Sequence, residues 1–155
     1  MKQSASQESN ACMLRIALIS NNPVLRRGLH LTLKESPFVS EVTEIAVGSQ
    51  AVEIVVREKL QVIVVDLELA DADTSALIRA LRAAAADLHI LVLSGLNHGT
   101  LTRGALAAGA DGVVLTLQPP AVLFAAIESL SGFMPRPMGD RPAQSADRLR
   151  ALGFR

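Results

Sequence analysis

The side chains best suited to chemistry are oxygen-bearing residues that follow short apolar runs. Asp66 closes "QVIVVD", and Glu68, Asp71 and Asp73 extend it into an acidic loop. Carboxylates are what a hard divalent cation wants. A calcium loop is nevertheless excluded, because the central glycine and closing glutamate that it needs are missing. Asp73 is more simply a helix cap. The other run-ends are neutral. "LRIALI" leads into Ser20, Asn21 and Asn22, "HILVLS" ends on Ser94, and "DGVVLT" ends on Thr116. His30, His89 and His98 are scattered, and none stands at metal-ligand spacing with another His or Cys. No Ser-His-Asp grouping and no Cys-His pair stands out. The turn "SNNP" is not a Gly-rich phosphate loop, which argues against a flavin-dependent enzyme.

These residues need a scaffold, and the pattern supplies one. "LRIALI" (14–19), "QVIVVD" (61–66), "HILVLS" (89–94) and "DGVVLT" (111–116) read as buried strands, and "EVTEIAV" (41–47) alternates as a strand nearer a sheet edge would. Pro23 suits a helix start, with Asn22 as its N-cap, for a helix from Val24 to about Lys34. "QAVEIVVREK" reads as the second helix, and Asp73 or Thr74 can cap the third, "SALIRALRAAAA". The fourth runs from about Thr100 to Ala108 and ends at Gly109, a good C-terminal glycine. "PPAVLFAAIESL" (119–130) is the fifth. Five strands alternating with five helices imply a doubly wound α/β fold, a parallel sheet covered on both faces. Ligands of such sheets bind at the carboxyl ends of the strands. That is where Ser20 to Asn22, Asp66 to Asp73, Ser94 to His98 and Thr116 to Pro119 fall.

Composition narrows the classes. The chain of 155 residues carries 15 Lys+Arg against 15 Asp+Glu, so no overall field draws it to nucleic acid or an anionic membrane. With four Phe and neither Trp nor Tyr, the core must be aliphatic. No apolar run approaches the roughly 20 residues of a membrane span. Residues 1–12 lack the apolar centre of a secretory signal and read as a disordered tail. Cys12 is alone, which suits a reducing cytoplasm. Residues 13–131 are expected to form the domain. Residues 132–155, with their prolines and arginines and a short possible helix around Ala146 to Leu152, read as a linker or C-terminal tail.

Three stretches have a familiar arrangement: "IALISNNPVLRRGL", "VIVVDLELADADTSALIRALR", and "ILVLSGLNHGTLTRGALAAGADGVVLT" running into "QPPAVLFAAI". Through them, residues 14–130 resemble the receiver domain of bacterial two-component response regulators. The nearest flavour is the LuxR/NarL-type group, whose receiver precedes a LuxR-type DNA-binding domain. The resemblance implies a flavodoxin-like (βα)5 fold with strand order 2-1-3-4-5. It places the phospho-accepting aspartate at Asp66 and the hydroxyl residue at Ser94. The acidic pair of the family falls on Ser20 and Asn21, its lysine on Thr116, and its aromatic switch on Val113. Two of five functional positions thus keep their chemistry, and the chain resembles a degenerate, or atypical, receiver.

Phosphoryl transfer to a carboxylate depends on positioning and on neutralising charge at the phosphoryl oxygens. Ser20 and Asn21 offer Mg²⁺ only neutral oxygens, so at best weak binding is expected, and Thr116 supplies no charge. At about 3 kcal/mol for each lost electrostatic element, the deficit is on the order of 10⁴-fold in rate. Glu68 is the exception to weigh: its carboxylate could complete a cation site, or be a solvated loop acid. The leading expectation is a cytoplasmic, non-enzymatic signalling module of a transcription regulator. It would act without phosphorylation, through a homodimer or another signalling protein, with no cofactor, membrane or direct DNA contact. One alternative is a slow phospho-acceptor using Asp66 with Glu68. Another is a small-molecule site between Ser20, Asp66, Ser94 and Thr116. The fourth helix, with glycines at 99, 104 and 109 and two threonines, is expected to be locally unstable.

Overall fold

A computed structural model of the protein describes residues 13–46, 48–68 and 73–131. The elements are β1 (Leu14–Ile19), α1 (Pro23–Lys34), β2 (Val39–Ile45), a short 3-10 turn (Gly48–Gln50), α2 (Ala51–Glu58), β3 (Val62–Asp66), α3 (Thr74–Ala84), β4 (His89–Ser94), α4 (Gly99–Ala108), β5 (Gly112–Leu115) and α5 (Pro120–Ser131). The strands form one parallel sheet in the order β2-β1-β3-β4-β5, the doubly wound arrangement expected. The expected tails at 1–12 and 132–155, the short helix near 146–152, and Asp71 lie outside the described residues.

Strand side chains alternate between the two faces, and two cores follow. Ala17, Ile19, Ile63, Val65, Ile90, Val92 and Val113 pack with residues of α2, α3 and α4, such as Val55, Ile78 and Ala105. Ile16, Leu18, Val62, Val64, Leu91, Leu93 and Val114 pack with α1 and α5 through Leu33, Leu123 and Ile127. The same parity governs the strand ends. Ser20, Asp66 and Thr116 continue the positions that face α1 and α5, whereas Ser94 continues those that face α4.

Local chemistry sets the helix ends. The Asn22 side chain accepts from the amides of Val24 and Leu25 at 3.0 and 3.1 Å, and Pro23 takes the first helical position of α1. Asp73, not Thr74, caps α3, accepting from the Ala76 amide at 3.2 Å. Gly109, with φ 120°, closes α4 in a conformation that a Cβ would strain. At the opposite end of the sheet from the run-end residues, Arg82 clasps four oxygens. Its guanidinium donates to the carbonyls of Ala86, Leu88 and Gly109 and to the Asp111 carboxylate, at 2.6 to 3.0 Å.

The second strand corrects the sequence reading, beginning at Val39 and ending at Ile45 instead of spanning 41–47. Its register against β1 slips between Leu14 and Arg15, so that Leu14 faces Val39 while Arg15 faces Glu41. Ser40 is the extra residue, and its hydroxyl donates to the Leu14 carbonyl at 3.0 Å. The irregularity leaves Ser40 and Glu41 exposed in succession, which hides Val39 from a search for strict alternation.

Candidate functional site

The centre of the site is Asp66, the last residue of β3 and only 4% exposed. Its neighbour on the sheet is β1, whose continuation places Ser20, also buried, beside it. The Ser20 hydroxyl donates to Asp66 Oδ2 at 2.7 Å, and the Glu68 amide donates to Asp66 Oδ1 at 3.0 Å. Ser20 Oγ in turn accepts from the Asn22 amide at 3.1 Å. A chain of hydrogen bonds therefore runs from the start of α1 through Ser20 to the carboxylate. No Lys, Arg or His among the described residues forms an ion pair with Asp66. Arg26 comes to the same strand end without such a pair: its guanidinium donates to the Ser20 carbonyl at 2.6 Å and meets Glu44 of β2 at 3.3 Å.

The other run-end residues divide into two groups. Asn21 is exposed at the mouth beside Ser20. Glu68 brings its amide to Asp66 but sends its carboxylate elsewhere, 3.6 Å from His98 Nε2, with the side chain largely solvated. His98 Nδ1 accepts from the Gly95 amide at 3.3 Å, so the loops after β3 and β4 meet across His98 and Glu68. Ser94 is buried, and its hydroxyl donates within reach of the Gly95 carbonyl at 3.1 Å and pairs with the Thr102 hydroxyl of α4 at 3.0 Å. Thr116 is exposed; its amide donates to the Ser94 carbonyl at 3.0 Å and its hydroxyl reaches the same carbonyl at 3.4 Å. Val113 is fully buried against α4.

The structure thus joins Ser20, Asp66 and the Glu68 backbone in one network, and places Ser94 and Thr116 in another. Two contributors, Arg26 and Thr102, escaped the sequence reading. Each reaches from inside a helix back to the strand end that precedes it, a placement that no local motif announces. His98 lies in the stretch after β4 that the sequence singled out, and its contact with Glu68 joins two loops. Among the described residues the donor set does not suit Mg²⁺: Asp66 is the one carboxylate of these that faces the site, and no group of three or more of their His, Cys, Asp or Glu is arranged for a metal ion.

Comparison with known proteins then decides the family, because the response regulator receiver domain family matches residues 16–128. The chain belongs to the response regulator receiver domain family. Its relatives include the nitrate/nitrite response regulator proteins NarP and NarL of Escherichia coli K12. They are 27% and 29% identical to this receiver over 119 and 127 residues, or 77% and 81% of the chain. The chain spans 55% and 59% of the length of those two proteins. Among solved structures, a LuxR-family two-component response regulator from Aurantimonas sp. SI85-9A1 is 26% identical, with a TM-score of 0.72 over 91% of this chain and 96% of that one. The isolated REC domain of RcsB from Salmonella enterica serovar Typhimurium, in the presence of phosphomimetic BeF3-, shares the fold at 20% identity. Its TM-score is 0.68, over 77% of this chain and 88% of that one.

Beside the receiver's site, Leu25 and Leu29 of α1 and Leu115, Pro119, Pro120 and Leu123 line a shallow apolar groove. Val24 and Leu117, next to the lining in sequence, are 81% and 73% exposed. No described helix is long and apolar enough to cross a membrane.

Proposed function

We propose that this receiver is a degenerate one, working as a phosphorylation-independent signalling module of a transcription regulator. The observation that carries this reading is the 2.7 Å hydrogen bond from Ser20 to Asp66. In the family pattern Ser20 and Asn21 occupy the positions of the metal-binding acids, and Thr116 that of the lysine. With those charges absent, a neutral hydroxyl takes one carboxylate oxygen and a backbone amide the other. Among the described residues both carboxylate oxygens have neutral donors, and neither the cation nor the lysine that would neutralise an incoming phosphoryl group has a counterpart. The module is a switch or scaffold rather than an enzyme, operating in the cytoplasm.

Its output is association, either with a second copy or with another signalling protein. Support comes from the apolar groove between α1 and the start of α5, whose lining residues Leu25 and Thr116 are respectively preceded and followed in the chain by the exposed Val24 and Leu117. A two-fold pairing is the default for soluble oligomers. Direct DNA contact is assigned to none of the described residues.

A second reading keeps Asp66 as a slow phospho-acceptor. It is favoured by the burial of that carboxylate with neutral donors only, which leaves a charge that a cation could compensate. Against it stands Glu68, whose carboxylate is turned to His98. The deciding experiment is the intact mass of the protein after incubation with acetyl phosphate and Mg²⁺, with Asp66→Asn as control. An unmodified, folded protein is the expected result. A phosphoryl adduct lost in Asp66→Asn overturns the first reading in favour of the second.

A further inference from the structure

The three most exposed large apolar side chains among the described residues stand at one end of the sheet. Val24, Leu96 and Leu117, 81%, 71% and 73% exposed, follow shortly after β1, β4 and β5. Loops that surround a solvated strand end are normally polar, and large apolar groups gathered there mark a contact surface. The same end holds Asp66, buried, accepting from the Ser20 hydroxyl and the Glu68 amide and ion-paired to no described cation. Arg26 reaches this end but is committed to the Ser20 carbonyl and to Glu44. His98 meets Glu68. Thr116, where the resemblance places a lysine, turns its hydroxyl to the Ser94 carbonyl.

We propose that Asp66 is the receptor for a lysine side chain of a different protein, a cation supplied in trans, with Val24, Leu96 and Leu117 seating the apolar residues beside that lysine. A carboxylate has room for about four hydrogen bonds, and the two neutral donors leave part of that capacity open. Burial makes a charge costly until it is paired, so a cation gains more at Asp66 than at a solvated acid. A divalent ion is a poor match for a single carboxylate. A lysine fits better, because its ammonium sits at the end of a flexible stem that lies readily along apolar surface. Charge complementarity points the same way. No Lys or Arg stands in any described loop at this end of the sheet, whereas the exposed Glu68 and Asp73 do. A second copy of the chain is a poorer partner, since its described lysines adjoin acids: Lys34 precedes Glu35 and Lys59 follows Glu58.

The inference deepens the proposed function by naming the chemistry of the partner, and it rests on that reading, in which Thr116 stands where a lysine is missing. Its test uses no phosphoryl donor. A phosphoryl adduct on Asp66 would refute the degenerate reading, whereas failure to bind an ammonium would refute only the cation in trans, so the two failures are visible separately.

The test is a titration of the full chain followed by amide NMR shifts at constant ionic strength. The probes are n-butylammonium chloride, n-butanol as its neutral control, and the peptide acetyl-Leu-Lys-Leu-amide. Butylammonium should give saturable shifts centred on the amides of 20–22, 66–68 and 116–118, with a Kd on the order of 10 mM. Binding should weaken at least about tenfold in Asp66→Asn, and equally in Thr116→Lys, where an ammonium in cis occupies the carboxylate. The peptide should bind at least about tenfold more tightly than butylammonium, and Leu117→Ser, a change at an exposed position, should remove part of that gain. Absence of saturable shifts, equal binding of butanol, or binding unchanged in Asp66→Asn would each overturn the cation site. A peptide no tighter than butylammonium, or one indifferent to Leu117→Ser, would overturn the protein partner.

Discussion

Replacing Ser20 by alanine isolates the bond on which the reading of the site depends. The substitution removes one hydrogen bond to a buried carboxylate and one acceptor for the Asn22 amide. A hydrogen bond to a charged group contributes about 1.5–3 kcal/mol, and the amide, which water can reach, adds about 0.5–1 kcal/mol. Ser20→Ala should therefore cost about 3 kcal/mol. In an Asp66→Ala background the same change removes only the amide's acceptor, so the two sites should couple by about 2 kcal/mol. Urea unfolding followed by far-ultraviolet circular dichroism is the suitable assay, since the chain has neither Trp nor Tyr to report by fluorescence. A Ser20→Ala cost below about 0.5 kcal/mol, or no coupling between the two positions, would refute the idea that the serine stands in for charge neutralisation at Asp66.

Other consequences can be measured in the same way. Arg82→Ala leaves the Asp111 carboxylate and three carbonyls without their shared donor, and should cost about 3 kcal/mol in urea unfolding; a cost under about 1 kcal/mol would show that water replaces the guanidinium without penalty. Asn22→Ala removes the cap of α1 and should cost about 1 kcal/mol, with faster exchange confined to the first turn. Millimolar Mg²⁺ should leave the unfolding midpoint unchanged, because only binding to the native state raises it; a rise of several degrees that vanishes in Asp66→Asn would mean a working cation site.

The fold was legible because its signals are local. The β-branched run of β3 and the apolar runs of β1 and β4 each announce a strand, while Asn22, Asp73 and Gly109 mark helix ends with side chains or backbone freedom that act within a few residues. The start of β2 was not legible, since the irregularity at Ser40 breaks the alternation that betrays a strand. For the site, position along the chain was readable but direction was not. That Asp66 and Ser20 stand at adjacent strand ends follows from the order of the elements. That the Glu68 carboxylate turns to His98, that Arg26 reaches back to the Ser20 carbonyl, and that Ser94 prefers Thr102 are rotamer choices, set by another loop in the first case and by packing of the following helix in the other two. Hydroxyls and short acids in loops accept many partners of similar energy, so spacing alone does not select among them.

The most direct test of the central claim is restoration. The variant Ser20→Asp/Asn21→Asp/Thr116→Lys returns the acidic pair and the lysine to the positions where receivers carry them, leaving Asp66 and Ser94 as they are. Intact mass would be followed over time for parent and variant with acetyl phosphate and Mg²⁺. The prediction is a parent that stays unmodified while the restored variant gains one phosphoryl group, lost again when Asp66 is changed to Asn. A parent modified as fast as the restored variant would contradict it, and would mean that the neutral residues after β1 do not disable the site.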